Sequence, residues 1–428
     1  MLSSYLELIQ YNRQFRYLWL SQVVSLFGDW FSLIASAALI AKLSESSGLA
    51  ISGLFIARML PPFILGPFAG VVADRFNRRH VLIVTDLLRA IIVTNFVLLS
   101  LGVFDLSVKN QLGLIYLLTV AHLAISTFFE PAHAALLPSL VKPTDLLTAN
   151  AIRGITWSVM MAVGSAIGGL TTAWFGPTVA FVLDVLSFLL SAWLTLQIIL
   201  PNLTDAQLVE NSHDGVNGWQ TFIDGLQYLW QHPPILAVAL LKAAAAISYG
   251  GLDVIQVTLA EKHFPLGHDG SATLGLIYVA IGLGTGFGPL IARHITGDNP
   301  RAMYWAILFS FAMSTTGYFM VSAASNLAML LIATFCRTLG SGINWVYSSS
   351  LLQITVPHKF LGRVFAFDLA IMTLASSASI LGTGWAQDSL AQSPSQITLV
   401  LASLSLLMSI IWLVYLAYQL RQPQPSWS

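Results

Sequence analysis

The sequence contains few charged residues. Only 9% of its 428 residues are Asp, Glu, Lys or Arg, whereas soluble globular proteins carry about 25%. Hydrophobic residues make up 56% of the chain, and the mean hydropathy is +0.76. Because this number of charges is too small to cover a water-facing surface, lipid must replace water around most of the molecule. We therefore expect an integral membrane protein rather than a soluble domain.

An excess of one sign of charge is also missing. The chain has 19 basic and 19 acidic residues and a formal net charge of zero, so nothing in its charge points to a nucleic-acid partner. Cysteine occurs once, at Cys336. A single cysteine excludes an intrachain disulfide and any metal site built from several cysteines.

Motifs for catalysis or cofactor binding are absent from the sequence. There is no zinc-ligand spacing, phosphate-binding loop or nucleophile elbow. The glycine-rich segment 282–286 lies inside a hydrophobic block, where helix packing explains it better than nucleotide binding. His122 and His133 are separated by about three helical turns, too far to bind one metal ion. We expect no enzyme activity, no cofactor and no metal, and we exclude direct ATP-driven pumping.

Long hydrophobic blocks are abundant. A helix that crosses a bilayer needs about 20 mostly apolar residues. Twelve blocks meet this length, and we number them as spans 1 to 12. They cover 16–42, 50–73, 81–102, 112–137, 151–174, 178–200, 235–261, 272–294, 302–322, 327–353, 364–387 and 396–420. The pattern predicts an all-α membrane protein with twelve transmembrane helices.

Basic residues are distributed unevenly between the two sides of these spans. With the N-terminus inside, twelve of them lie on inner segments and three on outer segments, which is a positive-inside bias. We therefore expect both termini in the cytoplasm and the chain in the plasma (inner) membrane. The inner residues are Arg13, Arg16, Arg75, Arg78, Arg79, Lys142, Arg153, Arg293, Arg301, Lys359, Arg363 and Arg421; the outer residues are Lys42, Lys109 and Lys262.

A polar segment divides the spans into two sets of six. We predict an N-terminal bundle over 1–200, a cytoplasmic linker over 201–234 and a C-terminal bundle over 235–428. The two halves share a Gly-Pro pair at corresponding positions, Gly66-Pro67 and Gly288-Pro289. Transporters built from repeated halves typically have their solute site near mid-membrane. Apolar residues at helical spacing predict an amphipathic helix late in the linker. They are Phe222, Ile223, Leu226, Leu229 and Trp230.

The loop between spans 2 and 3 carries the most specific motif. Its key residues are Gly70, Asp74, Arg75, Arg78 and Arg79. This loop resembles the signature loop of the major facilitator superfamily, with Asn77 in place of a glycine. Because asparagine tolerates a left-handed backbone, we expect Asn77 in such a turn. The resemblance implies a conformational gating loop that stabilises the outward-facing state; the alternative is a simple positive-inside anchor.

Other segments are similar to one branch of that superfamily. They are 128–141, 146–151, the opening 15–29, 225–233 and 362–366. They look like the drug-efflux branch that holds macrolide and enterobactin exporters. This resemblance implies multidrug-type efflux of a small amphipathic organic molecule, such as a drug, a macrolide or a siderophore-like compound, by proton antiport with alternating access. We expect lipid contacts and a monomer.

Span 5 carries a cluster of glycines. Gly164, Gly168 and Gly169 are similar to the antiporter motif of the family, but Ser165 stands where a proline is expected. Small residues allow close approach of helices. A special antiport role and ordinary helix packing both remain open for these glycines.

Ionisable residues inside spans are costly and usually face a cavity or a partner. A proton-coupling carboxylate must exchange a proton near neutral pH, and burial favours its protonated form. Asp29 in span 1 and Glu130 in span 4 are the first candidates, followed by Asp253 in span 7. Arg58 and Arg337 are predicted to balance these acids or to bind an anionic group of the substrate.

Two other ionisable residues have less specific interpretations. We expect Asp184 to pair with polar groups of a neighbouring span. Lys242 lies near an inner boundary, where it can extend its ammonium group to water.

Two other functions remain open at this point. One is an importer or a lysolipid translocator with the same fold. The other is a membrane scaffold or sensor that transports nothing. The soluble extensions at both ends of this sequence are short, which argues against the scaffold or sensor.

Overall fold

The described part of the chain is helical throughout. The computed structural model describes residues 2–199, 226–297 and 299–421, and no strand occurs among them. Eleven helices within these ranges are long and apolar enough to cross a membrane. In the most apolar window of span 4, only 22% of the residues are buried by protein, as expected for a helix that faces lipid. The prediction of an all-α membrane fold is confirmed.

The first four spans match the predicted blocks. They are Arg13–Leu43, Gly48–Arg75, Arg78–Ser100 and Val108–Leu136. A short helix that the sequence analysis did not predict, Leu2–Tyr11, precedes them. Leu8 of this helix is buried in the same apolar core as Phe15 and Leu18 of span 1. The helix therefore packs against the bundle rather than extending from it.

Spans 5 and 6 form one continuous run, Leu146–Leu196, of 51 residues. A straight helix of that length would extend about 76 Å at 1.5 Å per residue, well over twice the hydrocarbon core of a bilayer. The run is broken at Gly176, whose φ of 82° and ψ of 167° are not helical, and Pro177 follows as a helix start. The break divides the run into two spans, so the eleven helices provide twelve spans.

The remaining spans follow in the second half of the chain. Span 7 consists of Pro233–Ala239, Leu241–Thr258 and the wider turn Leu259–His263. Spans 8 to 12 are Ser271–Thr296, Pro300–Ser322, Leu327–Thr355, His358–Ser389 and Pro394–Arg421. Each boundary lies within six residues of the predicted block.

The chain forms two compact units. Unit 1 comprises Met1–Gly215 and Val257–Val279, and unit 2 comprises Val216–Gln256 and Ala280–Ser428. Unit 1 therefore holds spans 1 to 6 together with the end of span 7 and the start of span 8. Its apolar core includes Phe15, Leu18, Leu82, Phe129 and Leu136. The core of unit 2 includes Leu229, Ile307, Phe311, Leu351 and Trp412.

The turn between spans 2 and 3 differs from its prediction at Asn77. The φ of Asn77 is −60° and its ψ is 110°, so the predicted left-handed turn is wrong. The side-chain oxygen of Asn77 instead accepts hydrogen bonds from the backbone N–H groups of Arg79, at 3.1 Å, and His80, at 3.3 Å. Asn77 thus caps the start of span 3, a position that asparagine favours because it satisfies unpaired N–H groups.

Only the end of the predicted linker helix can be compared with the structure. Residues 226–231 are helical. Leu229 is buried in the core of unit 2, whereas Trp230 is 74% exposed. Phe222 and Ile223 lie outside the described residues.

Candidate functional site

Unit 1 contains a cluster of ionisable side chains near the middle of four spans. It consists of Asp29 on span 1, Asp86 and Arg89 on span 3, His122 on span 4 and Asp184 on span 6. We call these five residues the Asp29 cluster. Asp86 and Arg89 are three residues apart on one helix, so their side chains project from the same face.

Arg89 lies at the centre of the Asp29 cluster. Its guanidinium forms a close ion pair with Asp86 and lies 3.6 Å from the Asp29 carboxylate. It also donates a hydrogen bond of 3.1 Å to Ser25. The rings of Phe129 and Phe188 lie 4.6 and 4.3 Å from its central carbon. A planar cation between two aromatic faces is held electrostatically, so this arginine has a fixed position inside the bundle.

Serine hydroxyls solvate the two most buried carboxylates. Ser191 donates a hydrogen bond of 2.6 Å to Asp86. Ser32 of span 1 donates a close hydrogen bond to Asp184, and Ser187 lies 3.3 Å from the same carboxylate. The predicted pairing of Asp184 with polar groups of a neighbouring span is thereby confirmed. These donors replace the water that burial removes.

Asp29 is the member of the cluster that is open to its surroundings. Its side chain is 28% exposed, whereas those of Arg89 and Asp86 are 2% and 0% exposed. His122 Nε2 lies 3.5 Å from the Asp29 carboxylate, longer than a strong hydrogen bond. Asp29 is therefore the least enclosed carboxylate of the cluster, and its charge acts on both Arg89 and His122.

Gly28 allows span 1 to approach span 6 at this site. A β-carbon on Gly28 would lie 2.9 Å from the β-carbon of Ser187 and even closer to the Ser187 hydroxyl and the Asp184 carboxylate. The Gly28-Asp29 pair in the sequence thus has a geometric reason, because only glycine leaves space for the hydroxyl and carboxylate groups of span 6 beside the cluster.

We expect Gly28→Ala to destabilise the protein by about 1–3 kcal/mol, the usual effect of forcing an extra carbon into a packed interior. The measurement is the thermal unfolding of detergent-purified protein. Gly113→Ala is the matched control, because a β-carbon there would meet nothing within 4 Å. Equal melting temperatures for the two variants would contradict the close packing of spans 1 and 6.

Of the other predicted site residues in unit 1, Arg58 lies near the Asp29 cluster, whereas Glu130 has a different partner. Arg58 of span 2 interacts electrostatically with Asp29. Glu130 forms an ion pair with Arg153 instead, at 3.3 Å, and its side chain is 60% exposed. His133, one turn after Glu130, is buried and stacks on Phe129 at 5.9 Å.

Asp253 and Arg337 lie in unit 2. The Arg337 guanidinium is 5.3 Å from the ring of Tyr318, and Asp253 interacts electrostatically with that tyrosine and with Tyr249. Asp253 and Arg337 thus lie near the same tyrosine, in the other unit from Asp29.

Lys242 has a different environment from the predicted one. Its ammonium nitrogen lies 2.5 Å from the carboxylate of Asp368 in span 11, and both side chains are buried. The interpretation that Lys242 extends to water at the membrane boundary is therefore wrong, because the buried carboxylate provides a closer partner than water.

Two arginines of the predicted gating loop bind the ends of other spans. Arg78 donates to the carbonyl of Ala135 in span 4 at 3.0 Å. Arg79 donates to the carbonyls of Thr195 and Leu196 at the end of span 6, at 3.2 and 2.6 Å. The last carbonyls of a helix lack intrahelical partners and carry partial negative charge. Gly70 and Asp74 lie in the last turns of span 2, and the Arg75 side chain is exposed.

We expect Arg79→Ala to lower stability by about 1.5–3 kcal/mol, because hydrogen bonds from a charged donor contribute about this much. Thermal unfolding in detergent measures the effect. Arg75→Ala is the control, since it removes the same positive charge from the same loop without removing a helix-end contact. A melting temperature for Arg79→Ala equal to that of the control would show that Arg79 acts only as an orienting charge.

The glycines of span 5 face two different helices. Gly164 lies against Trp30, and Gly168 lies against the backbone of Phe31, both in span 1. A β-carbon on Gly169 would lie 2.9 Å from the α-carbon of Gly275 in span 8. Span 5 remains helical through Ser165, whose hydroxyl donates back to the carbonyl of Met161. All three glycines therefore permit close helix contacts.

Sequence reasoning missed Asp86, Arg89 and Asp368 as site residues. A local signal existed for the first two, because opposite charges three residues apart inside one hydrophobic block indicate a pair on one helix face. Asp368 has no such signal, since 126 residues separate it from Lys242.

Comparison with known proteins places these features in a family. The profile of the Major Facilitator Superfamily matches residues 18–383. An uncharacterized MFS-type transporter, YfiS of Bacillus subtilis, is 26% identical over 370 residues, covering 85% of this chain and 84% of YfiS. The putative bacilysin exporter BacE of the same species is 23% identical, covering 85% of this chain and 86% of BacE.

A third relative and two solved structures agree with this assignment. The enterobactin exporter EntS of Salmonella choleraesuis is 24% identical, covering 84% of this chain and 82% of EntS. The POT family transporter PepTSo superposes with a TM-score of 0.70 at 14% identity, covering 96% of this chain and 99% of PepTSo. A bacterial homologue of the lysosomal transporter Spinster gives 0.69 at 13% identity, covering 97% and 99%.

The structural likenesses show the fold, and the profile match spans most of the chain. Together with the twelve helical spans, they confirm the resemblance that the sequence motifs indicate. This chain belongs to the major facilitator superfamily and is a membrane transporter of that family.

Proposed function

We propose that this transporter exports a small amphipathic organic molecule by proton antiport, with alternating access. The observation that carries the proposal is the charge of the Asp29 cluster. The cluster holds three carboxylates, two of which pair with the one buried guanidinium, and Arg58 contributes a second positive charge nearby. A buried excess of charge is costly in a medium of low dielectric constant. When Arg58 is counted with the cluster, three carboxylates and two guanidinium groups leave one negative charge, and a single proton neutralises it.

Asp29 is the proposed primary proton site. Protonation of Asp29 removes its attraction to Arg89 on span 3 and to His122 on span 4. Because these contacts join span 1 to two other spans, the charge of Asp29 biases how the spans pack. A change in packing that depends on protonation is what couples a proton to alternating access.

The other predicted residues have supporting roles in this proposal. Glu130, paired with Arg153, is a second proton site that is entered from the cytoplasm. Arg58 balances the charge of Asp29, and Asp253 and Arg337 contribute to the substrate cavity. The loop from Gly70 to Arg79 stabilises the outward-facing state, and the three glycines of span 5 permit the close helix contacts that this state needs.

Export is the favoured direction because two of the relatives are named as exporters, one of bacilysin and one of enterobactin. Drugs, macrolides and siderophore-like molecules are the substrate classes to test first. The proposal also includes a monomer in the plasma membrane, with lipid around the spans and both termini in the cytoplasm.

The test uses inverted membrane vesicles with an acidic interior and a pH-sensitive dye inside. Adding a transported compound outside should make the interior less acidic, because each molecule that enters releases protons. If uptake occurs only with the gradient reversed, the protein is an importer or a lipid translocator. If no compound of a broad panel changes the interior pH or accumulates, antiport is wrong and a scaffold or sensor role is favoured.

A further inference from the structure

We propose that the Lys242–Asp368 pair of unit 2 binds the charged head of a zwitterionic solute, one that carries a carboxylate and an ammonium group beside an apolar body. The inference rests on the proposed transport function and names the substrate class. It concerns residues of spans 7 and 11, whereas the proposed proton site lies in unit 1.

The pair is buried inside a membrane protein. Lys242 Nζ lies 2.5 Å from Asp368 Oδ2, and the side chains are 6% and 3% exposed. Removing two charges from water costs several kcal/mol for each ion, and apolar residues of similar volume are often at least as stabilising. Stability alone therefore gives no reason for these two residues, while binding of a charged solute does.

The Lys242–Asp368 pair can form further hydrogen bonds. The second carboxylate oxygen of Asp368, Oδ1, is buried and has no hydrogen-bond partner among the residues that the structure describes. Leaving such an oxygen without a donor is unfavourable, and more so when the group is charged. An ammonium group of a solute would supply the missing donor. Lys242 can donate three hydrogen bonds, so it can bind a solute carboxylate while it remains near Asp368.

Aromatic rings surround the ammonium group of Lys242. It lies 4.8 Å from the centre of the Trp345 ring and 5.5 Å from that of Phe365. Trp345 is 49% exposed, so this ring connects the buried pair with the surface of the unit. Aromatic faces attract cations and also pack against apolar groups, and they therefore suit the ammonium and the body of an amphipathic solute.

Charge balance selects the solute class. A solute with only a carboxylate would engage Lys242 and leave Asp368 without a cation. A solute with only an ammonium group would leave Lys242 without an anion, and a buried unpaired charge is strongly unfavourable. A zwitterion replaces both partners at once and adds no net charge, so its binding requires no proton from the Asp29 cluster.

The experiment measures binding to the purified chain in detergent at one pH, by equilibrium dialysis of labelled peptides. Three probes share one body: phenylalanyl-phenylalanine, its N-acetylated form and its C-terminal amide. We expect the free peptide to bind at least about tenfold more tightly than either blocked form, since each lost charged hydrogen bond is worth about 1.5–3 kcal/mol. This comparison needs no variant.

A double variant locates the preference. Lys242→Met/Asp368→Leu should remove the tenfold difference while the melting temperature stays near that of the native chain. Lys42→Met/Asp269→Asn is the matched control, because it removes an ion pair at 3.5 Å on the surface of unit 1, and it should keep the preference. The inference is overturned if the free peptide does not bind, if the three probes bind equally, or if the double variant still discriminates.

Two further outcomes separate this inference from the proposed function. Binding of the zwitterion by Asp29→Asn protein supports the inference even where that variant fails to couple protons. Conversely, drug transport driven by a pH gradient, without any preference for the free peptide, upholds proton antiport and rejects the Lys242–Asp368 site.

Discussion

Asp29→Asn is expected to abolish solute accumulation driven by a pH gradient in reconstituted vesicles, because an uncoupled solute only equilibrates across the membrane; with one proton per solute, a gradient of one pH unit corresponds to a loss of about tenfold. Asparagine has nearly the shape of aspartate but cannot take up or release a proton at this position. Exchange of solute at equal pH on both sides should continue, because it needs no net proton movement. The two assays together separate coupling from binding.

The fold should tolerate Asp29→Asn. Arg89 makes its close ion pair with Asp86, and Asp29 lies farther away at 3.6 Å. The neutral side chain therefore leaves no buried cation without a partner, and a change of melting temperature of more than a few degrees is not expected. Asp105→Asn, in the loop after span 3, is the control and should couple normally.

Glu130→Gln gives the second part of the same test. If Glu130 acts as the proposed cytoplasmic proton site, this variant also loses gradient-driven accumulation. Normal coupling in Glu130→Gln would restrict proton transfer to the Asp29 cluster. Normal coupling in both variants would remove the proton assignment altogether, whatever their effects on substrate affinity.

The twelve spans could be predicted from the sequence because a bilayer imposes one simple requirement on every span. Each span must present about 20 apolar residues, since unsatisfied backbone groups cannot face hydrocarbon. Even the joined spans 5 and 6 were separable, because Gly176-Pro177 marks the break. By contrast, the short helix Leu2–Tyr11 has no such requirement and was missed.

Side-chain partners were harder to predict because they depend on how helices rotate and pack. Asp29 could be recognised from its depth alone, but nothing in the sequence shows that Arg89 is the cation beside it. Lys242 was assigned to the membrane boundary for the same reason, since its partner Asp368 lies on a distant span. At Asn77 the residue type allowed two backbone states, and the need to cap span 3 decided between them.

The second large effect is expected from Arg89→Met. This change leaves Asp86, whose side chain is fully buried, without its cation. Breaking a buried ion pair by removing one partner typically costs about 3–5 kcal/mol. We expect a much lower yield of folded protein in the membrane and a clearly lower melting temperature in detergent. Lys109→Met, at an exposed basic residue near the start of span 4, should leave both unchanged.

A second substitution separates charge from packing. In Asp86→Asn/Arg89→Met the uncompensated carboxylate is gone, so most of the lost stability should return. The ring contacts of Arg89 with Phe129 and Phe188 are lost in both variants, and methionine replaces part of that packing. If the double variant is no more stable than Arg89→Met, the aromatic contacts rather than the ion pair make Arg89 necessary.

The same pair of variants tests how the cluster handles protons. In this variant neutral side chains replace Arg89 and Asp86. Asp29 then retains two neighbours that can carry positive charge, His122 and Arg58. The cation that the proposed mechanism uses to sense the protonation of Asp29 is then missing from span 3. A folded double variant should therefore exchange solute at equal pH but fail to accumulate it against a gradient. Gradient-driven accumulation in this variant would mean that Asp29 acts on the other spans without Arg89.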